Sequence, residues 1–173
     1  MNSREKIYIE DIMKEMEKIQ YGWIDINNKI HINTIKELPQ MYRLANIDEM
    51  LEYKVGICFD QVELERFYFE KIFETYSYAI ISTHMVHTFL ILKNDNNDYI
   101  YFEHSSAKSK GIYYFKDKEM LLESALNQFM IRHNIKTMSN IKIVPYSKLP
   151  NKITFMEIKK ILLDNNPVPL SAV

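Results

Sequence analysis

The segment Gly56-Ile57-Cys58-Phe59-Asp60 carries the only cysteine of the chain at the start of a helical pattern, just after a glycine that lets the backbone turn sharply. The unpaired N–H groups and the positive end of a helix dipole favour thiolate over thiol at such a position, and the same N–H groups suit a developing oxyanion. A lone cysteine is more often a small buried hydrophobe. The nucleophilic reading therefore depends on a base and an orienting third group that the fold can bring to it. His84, His87 and His104 are the candidate bases.

Hairpin parity selects among them. With a three-residue loop Asn94-Asp95-Asn96 between strands over 86–93 and 97–103, Lys93 falls opposite Asn97, Ile91 opposite Tyr99, Phe89 opposite Tyr101 and His87 opposite Glu103. A five-residue loop makes the last pair diagonal but keeps both side chains on one face, whereas a two-residue loop sends them to opposite faces. His87 with Glu103 supplies a base and a carboxylate that fixes its ring and stabilises its imidazolium beside Cys58. His84 and His104 form a rival pair on the other face, which offers Thr88, Leu90, Leu92, Ile100 and Phe102 but no carboxylate.

The order Gly-x-Cys-x-Asp at a helix start, His-Thr-Phe-Leu on a strand and Tyr-Phe-Glu-His-Ser at the end of the next resembles the transglutaminase-like branch of the papain-like cysteine enzymes. The resemblance spans residues 55–106. It implies an α+β papain-like fold, with the Cys58 helix packed on an antiparallel sheet bearing His87 and Glu103. Cys58 becomes the nucleophile, His87 the base and Glu103 the occupant of a third position that is usually Asp. Thr88 stands where an aromatic usually follows the His. In transglutaminases an upstream aromatic helps to stabilise the oxyanion, which makes Trp23, in Tyr21-Gly22-Trp23, a candidate for that role and Tyr21 a neighbour in the cleft. A buried Trp serving only the core is the simpler account. Gln61 offers an amide near the thiol, although an exposed helical Gln is the plainer reading.

The elements that must position these residues are legible in outline. Ile9, Ile12, Met16 and Ile19 form the stripe of a helix over 5–19, with Ser3 as its cap. Residues 23–26 and 29–32 flank the turn pair Asn27-Asn28 as a short hairpin, and Asn46 with Glu49 forms a capping box for a short helix through Tyr53. Phe59, Val62, Arg66, Phe69 and Phe73, widened by Ile72, mark the central helix over 58–73. Asp60 and Glu63 suit its first turns, and the charges from Glu63 to Glu70 read as a solvated face. Strands follow over 78–82, 86–92, Tyr99–Glu103, Gly111–Phe115 and 141–144. A helix capped by Asp117 runs to about His133, and a terminal helix covers 154–163.

A single domain over 1–173 accommodates all of this, since 173 residues bury a sizeable core but do not make two ordinary domains. Hydrophobic residues at 47% and charged residues at 26% exclude disordered and low-complexity classes. A net charge of −1 supplies no global field to recruit nucleic acid or an acidic membrane, so neither is an expected partner. One cysteine forbids an intramolecular disulfide, and no leader or apolar span is evident, which together point to the cytoplasm. Three glycines leave no Gly-rich phosphate loop, no cluster has metal-ligand spacing, and neither metal nor other cofactor is expected.

The expected chemistry is acyl transfer through a Cys58 thioester, hydrolysing a peptide or other amide-bearing substrate as a cysteine protease or amidase. Transfer to an amine and a catalytically inert binding module on the same fold are the alternatives. Oligomeric state is not readable from the sequence.

Overall fold

Asn2 opens the first helix, α1 (Ser3–Met16), by accepting the Glu5 N–H while the Glu5 carboxylate accepts the Asn2 N–H. Ser3 is thus the first helical residue and not the cap, because the reciprocal partner three positions on belongs to Asn2. Ile9, Ile12 and Met16 are the buried stripe of α1. The hairpin follows as β1 (Gly22–Asp25) and β2 (Ile30–Ile32), with Trp23 opposite His31. Two short elements that sequence periodicity is too brief to reveal come next, α2 (Leu38–Met41) and β3 (Tyr42–Arg43), the latter pairing with β1 on its other side. Helix α3 (Ile47–Tyr53) carries the Asn46/Glu49 capping box.

The central helix is α4 (Cys58–Phe69), four residues shorter than its stripe suggests; Phe73 remains buried beyond its end, while Ile72 is half exposed. Its charged residues are not a solvated face. Asp60, Glu63, Glu65 and Arg66 are all buried, because α1, α3 and the main sheet enclose α4 from Cys58 to Arg66 and leave only its last turn, at Phe67, open to water. Arg66 pairs with Glu63 at 3.3 Å and donates to Thr75 and Ser77, and the Glu63 carboxylate also accepts the Leu149 N–H at 3.2 Å. Buried charges persist when paired and hydrogen-bonded in this manner.

The main sheet is antiparallel throughout, in the order β7-β6-β5-β4-β8, from β4 (Glu74–Ile81), β5 (Val86–Lys93), β6 (Tyr99–Glu103), β7 (Gly111–Phe115) and β8 (Lys142–Tyr146). Strand β4 begins four residues before the expected start, its first turn of chain being the less obviously apolar Glu74 to Ser77. One face, bearing Ala79, Leu90, Leu92, Ile100 and Phe102, packs on α1, α3, α4 and α6 (Phe155–Asp164). The opposite face, bearing Tyr78, Ile80, Phe89, Ile91 and Tyr101, is covered by α5 (Lys118–His133), which Asp117 caps by accepting the Glu119 and Met120 N–H groups. The computed structural model describes residues 1–169. Among these, no helix is long and apolar enough to cross a membrane.

The β5–β6 register is shifted from the expected one. Lys93 pairs with Tyr99 and Leu90 with Phe102, so five residues connect the strands. Asn94 sets this connection: its side chain accepts the N–H groups of Asn96 and Asp98, its own N–H bonds the Asp98 carbonyl, and Asn97 takes the left-handed conformation at φ 60°. Parity is unchanged, and His87 and Glu103 stay on one face as a diagonal pair.

Ahead of α4, Gly56 is required for a reason other than a tight turn. Its φ is not positive; a Cβ there would lie 2.8 Å from Met50 Cε and 2.9 Å from Asp60 Cβ. Gly56→Ala is therefore expected to lower stability by about 1–3 kcal/mol through overpacking. A urea melt checks this as a midpoint shift at constant slope.

Candidate functional site

Cys58 stands at the first position of α4, and two side chains of that helix hold the loop in front of it. Asp60 accepts the Ile57 N–H at 2.9 Å through Oδ2, and through Oδ1 the Ala45 N–H at 2.9 Å and the Tyr42 hydroxyl at 3.0 Å. Gln61 Nε2 donates to the Gly56 carbonyl at 2.8 Å, while its Oε1 is bonded to His104 Nδ1 at 2.9 Å. Helix geometry leaves the first backbone N–H groups of α4, those of Cys58 and Phe59, without intrahelical acceptors. Burial raises the Asp60 carboxyl to about 7 against those hydrogen bonds.

His87 sits near the start of β5 with its ring on the α5 face, whereas α4 packs on the other face. The two meet at the end of the sheet, where Cys58 and His87 line one cleft and the thiol lies close enough to the His87 ring to favour its charged form. Ring nitrogen Nε2 donates to Glu103 Oε2 at 2.6 Å, which leaves Nδ1 free of that bond. The Glu103 carboxylate is 1% exposed. It also accepts the Tyr101 hydroxyl at 2.7 Å on Oε2, and the Ser106 N–H at 2.9 Å and the Ser105 hydroxyl at 3.1 Å on Oε1.

The electrostatics follow from this packing. Burial opposes the His87 charge, but the Glu103 carboxylate and the thiol outweigh it and hold the imidazolium above the usual histidine range. Burial likewise disfavours the Glu103 carboxylate, yet His87, Tyr101 and the Ser106 N–H keep it below the usual carboxylate range. His104 behaves oppositely: burial, then Lys110, lowers it to about 4, so it is neutral where His87 is charged.

The remaining candidate residues separate. Tyr21 is 42% exposed but lines the cleft with Cys58, and the partial enclosure of its hydroxyl together with the nearby thiol and Asp60 keeps it protonated. Trp23 does not reach the cleft. It is buried in β1, stacked on His31 at 4.0 Å, with its indole N–H donated to the Thr34 carbonyl at 2.8 Å, so no donor remains for an oxyanion. Gln61 is buried rather than exposed, and its amide is committed to Gly56 and His104 instead of the thiol. His84 lies in the β4–β5 turn and lines the cleft; His104 is held by Gln61. Among the described residues no group of three or more His, Cys, Asp and Glu side chains has the geometry to hold a metal.

Sequence reasoning missed Tyr101, Ser105 and Ser106, the partners of Glu103. Tyr101 was within reach, since a residue two before Glu103 on a strand shares its face. The serines lie past the end of β6, where period-two reasoning stops. Also missed were Lys108, Arg132 and His133, which line the cleft from a loop and from the last turn of α5. The cleft holds roughly 580 Å³.

No family model, curated protein or solved structure matches this chain.

The two buried rings should titrate in opposite directions. In NMR of ¹⁵N-imidazole-labelled protein, with assignments from His87→Asn and His104→Asn, the His87 ring is expected to stay doubly protonated above pH 7 and the His104 ring neutral at pH 6. Because the folded-state value of His104 is depressed, its contribution to stability is complete above about 6.5 and is lost as pH falls through about 4.

Proposed function

We propose that this chain is a thiol-dependent acyl-transfer enzyme of the transglutaminase-like, papain-like type, hydrolysing an amide bond as a cysteine protease or amidase. The observation that carries the reading is the convergence on one cleft of the Cys58 thiol and the His87 ring, with the ring bonded to the buried Glu103 carboxylate. The lone free thiol fits a reducing compartment such as the cytoplasm.

In this chemistry the Cys58 sulfur, its proton held on His87 Nδ1, attacks the amide carbonyl carbon. The oxyanion is met by the Cys58 and Phe59 N–H groups and by the Tyr21 hydroxyl from across the cleft. His87 gives its proton to the departing nitrogen, the C–N bond breaks, and the acyl group remains as a thioester. Water then attacks the thioester carbon, His87 takes its proton, and carboxylic acid and thiol are released. Glu103 holds the ring in place and stabilises its charge without itself taking the proton.

Incubation with activated esters and peptide amides, read by mass spectrometry, is expected to show an acyl adduct on Cys58 that is absent in Cys58→Ala. Glu103→Gln should cut the acylation rate by about 10²–10⁴ through loss of ring orientation and charge. Free acid released with or without added primary amine marks a hydrolase, and amine-dependent products mark a transferase. No adduct with any substrate or electrophile favours an inert binding module.

A further inference from the structure

The cleft is asymmetric across the thiol, and the asymmetry describes a substrate. On the α4 side of the sheet, a second cavity of about 250 Å³ adjoins the cleft, sharing with it Pro39, Phe59, Phe155 and the segment His84 to Val86, and lined further in by Ile158, Lys159 and Leu162 of α6. At about 30 Å³ per water in bulk liquid, the cavity has room for one large apolar side chain. It begins at Phe59, the residue after the nucleophile.

On the α5 side the cleft wall is cationic. Its cations are Arg132, near the end of α5, and Lys108, after β6; His133 beside Arg132 is held toward its neutral form by burial and by the Arg132 charge, and no Asp or Glu is among the described residues that line the cleft. Arg132 Nε donates to His133 Nε2 at 3.0 Å and its guanidinium lies 5.6 Å from the Phe129 ring centroid, without a carboxylate partner among the described residues. This wall belongs to the His87 side: the Phe129 ring lies 6.5 Å from His87 and 4.7 Å from His133.

Because His87 delivers the proton to the leaving amine, the amine half of the substrate must occupy the His87 side and the acyl half the Phe59 side. We propose that the substrate is an amide with a bulky apolar group on its acyl half and an anionic group, carboxylate or phosphate, on its leaving amine. Arg132 and Lys108 receive the anion, and the Phe59–Phe155–Leu162 cavity receives the apolar group. Arginine suits planar, two-point recognition of either anion. The inference rests on the proposed Cys58 chemistry.

Matched chromogenic anilides separate the two. The acyl part is phenylalanyl or glycyl, N-blocked, and the leaving amine is 4-nitroaniline, its carboxylated analogue 5-amino-2-nitrobenzoate, or a phosphonate-bearing nitroaniline. Acylation of Cys58 by a neutral glycyl thioester, followed by mass spectrometry, tests the underlying reading independently. The expected result is a kcat/KM at least about tenfold higher for an anionic than for the neutral anilide, with that ratio collapsing toward one in Arg132→Gln and falling in Lys108→Gln. The carboxylate and phosphonate arms show which anion is preferred. The phenylalanyl substrate should exceed the glycyl one by about tenfold or more. Leu163→Arg, an exposed change at the cavity mouth, should reduce that second ratio and leave the anion ratio in place. Equal rates for neutral and anionic leaving groups, or a preference that survives both cation substitutions, overturn the inference while Cys58 acylation upholds the reading beneath it. Absence of acylation by every substrate overturns both.

Discussion

Glu103 is a carboxylate almost without water, and the geometry of the site depends on its being satisfied. Stripping a carboxylate of solvent costs several kcal/mol even after relaxation, so each lone pair must find a donor. Here each oxygen receives two: His87 and Tyr101 on Oε2, Ser105 and Ser106 on Oε1. Three of the four donors come from β6 and the loop directly after it. The carboxylate is therefore fixed by its own segment, and His87 docks onto a charge that is already in place. Removing one member of such a buried pair strands the other, at a cost of about 3–5 kcal/mol.

Cys58 is positioned by a separate set of contacts. Asp60 and Gln61 turn back from the first turn of α4 to hold Ile57 and Gly56, and Asp60 extends the same hold to Tyr42 and Ala45. Gln61 then reaches His104, the residue after Glu103. That bond ties the loop before the thiol to the strand that carries the carboxylate, so the two halves of the site cannot drift apart without breaking a buried hydrogen bond. Glu65, two turns beyond Cys58 on α4, is buried with one oxygen lacking any partner, and burial followed by the charges of Glu103 and Cys58 raises its carboxyl well above the ordinary range. It is held neutral, and so adds no second negative charge beside Glu103.

Legibility in the sequence followed the range of the interactions involved. Strands Tyr99–Glu103 and Gly111–Phe115 and the Asp117-capped helix were readable because alternation, turn chemistry and capping act over a few residues. The pairing of His87 with Glu103 on one face was readable from parity alone. What was hidden depends on distant packing. Glu63, Glu65 and Arg66 have the composition of a wet helix face, yet all three are buried, and only tertiary structure supplies Thr75 and Ser77 as partners of Arg66 and Leu149 as a partner of Glu63. Trp23 is near the right place in the chain, but its indole N–H was claimed by a carbonyl eleven residues away. The cations of the cleft come from a loop and the far end of α5, which no local pattern brings together.

The shifted hairpin register also fits the length of the Glu103 side chain. Had Lys93 paired with Asn97, His87 and Glu103 would be directly opposite, with Cβ atoms some 4.5–5.5 Å apart, a gap that a short carboxylate spans. Asn94 instead captures Asn96 and Asp98 and moves the register by two residues, so the pair is diagonal, at roughly 7–8 Å. Aspartate falls short across that diagonal, whereas glutamate, one methylene longer, closes the contact at 2.6 Å. The amide chemistry of one turn residue and the carboxylate length at the far end of the same hairpin are thus two parts of a single geometric solution: parity puts both groups on one face, and the turn determines how far apart they stand.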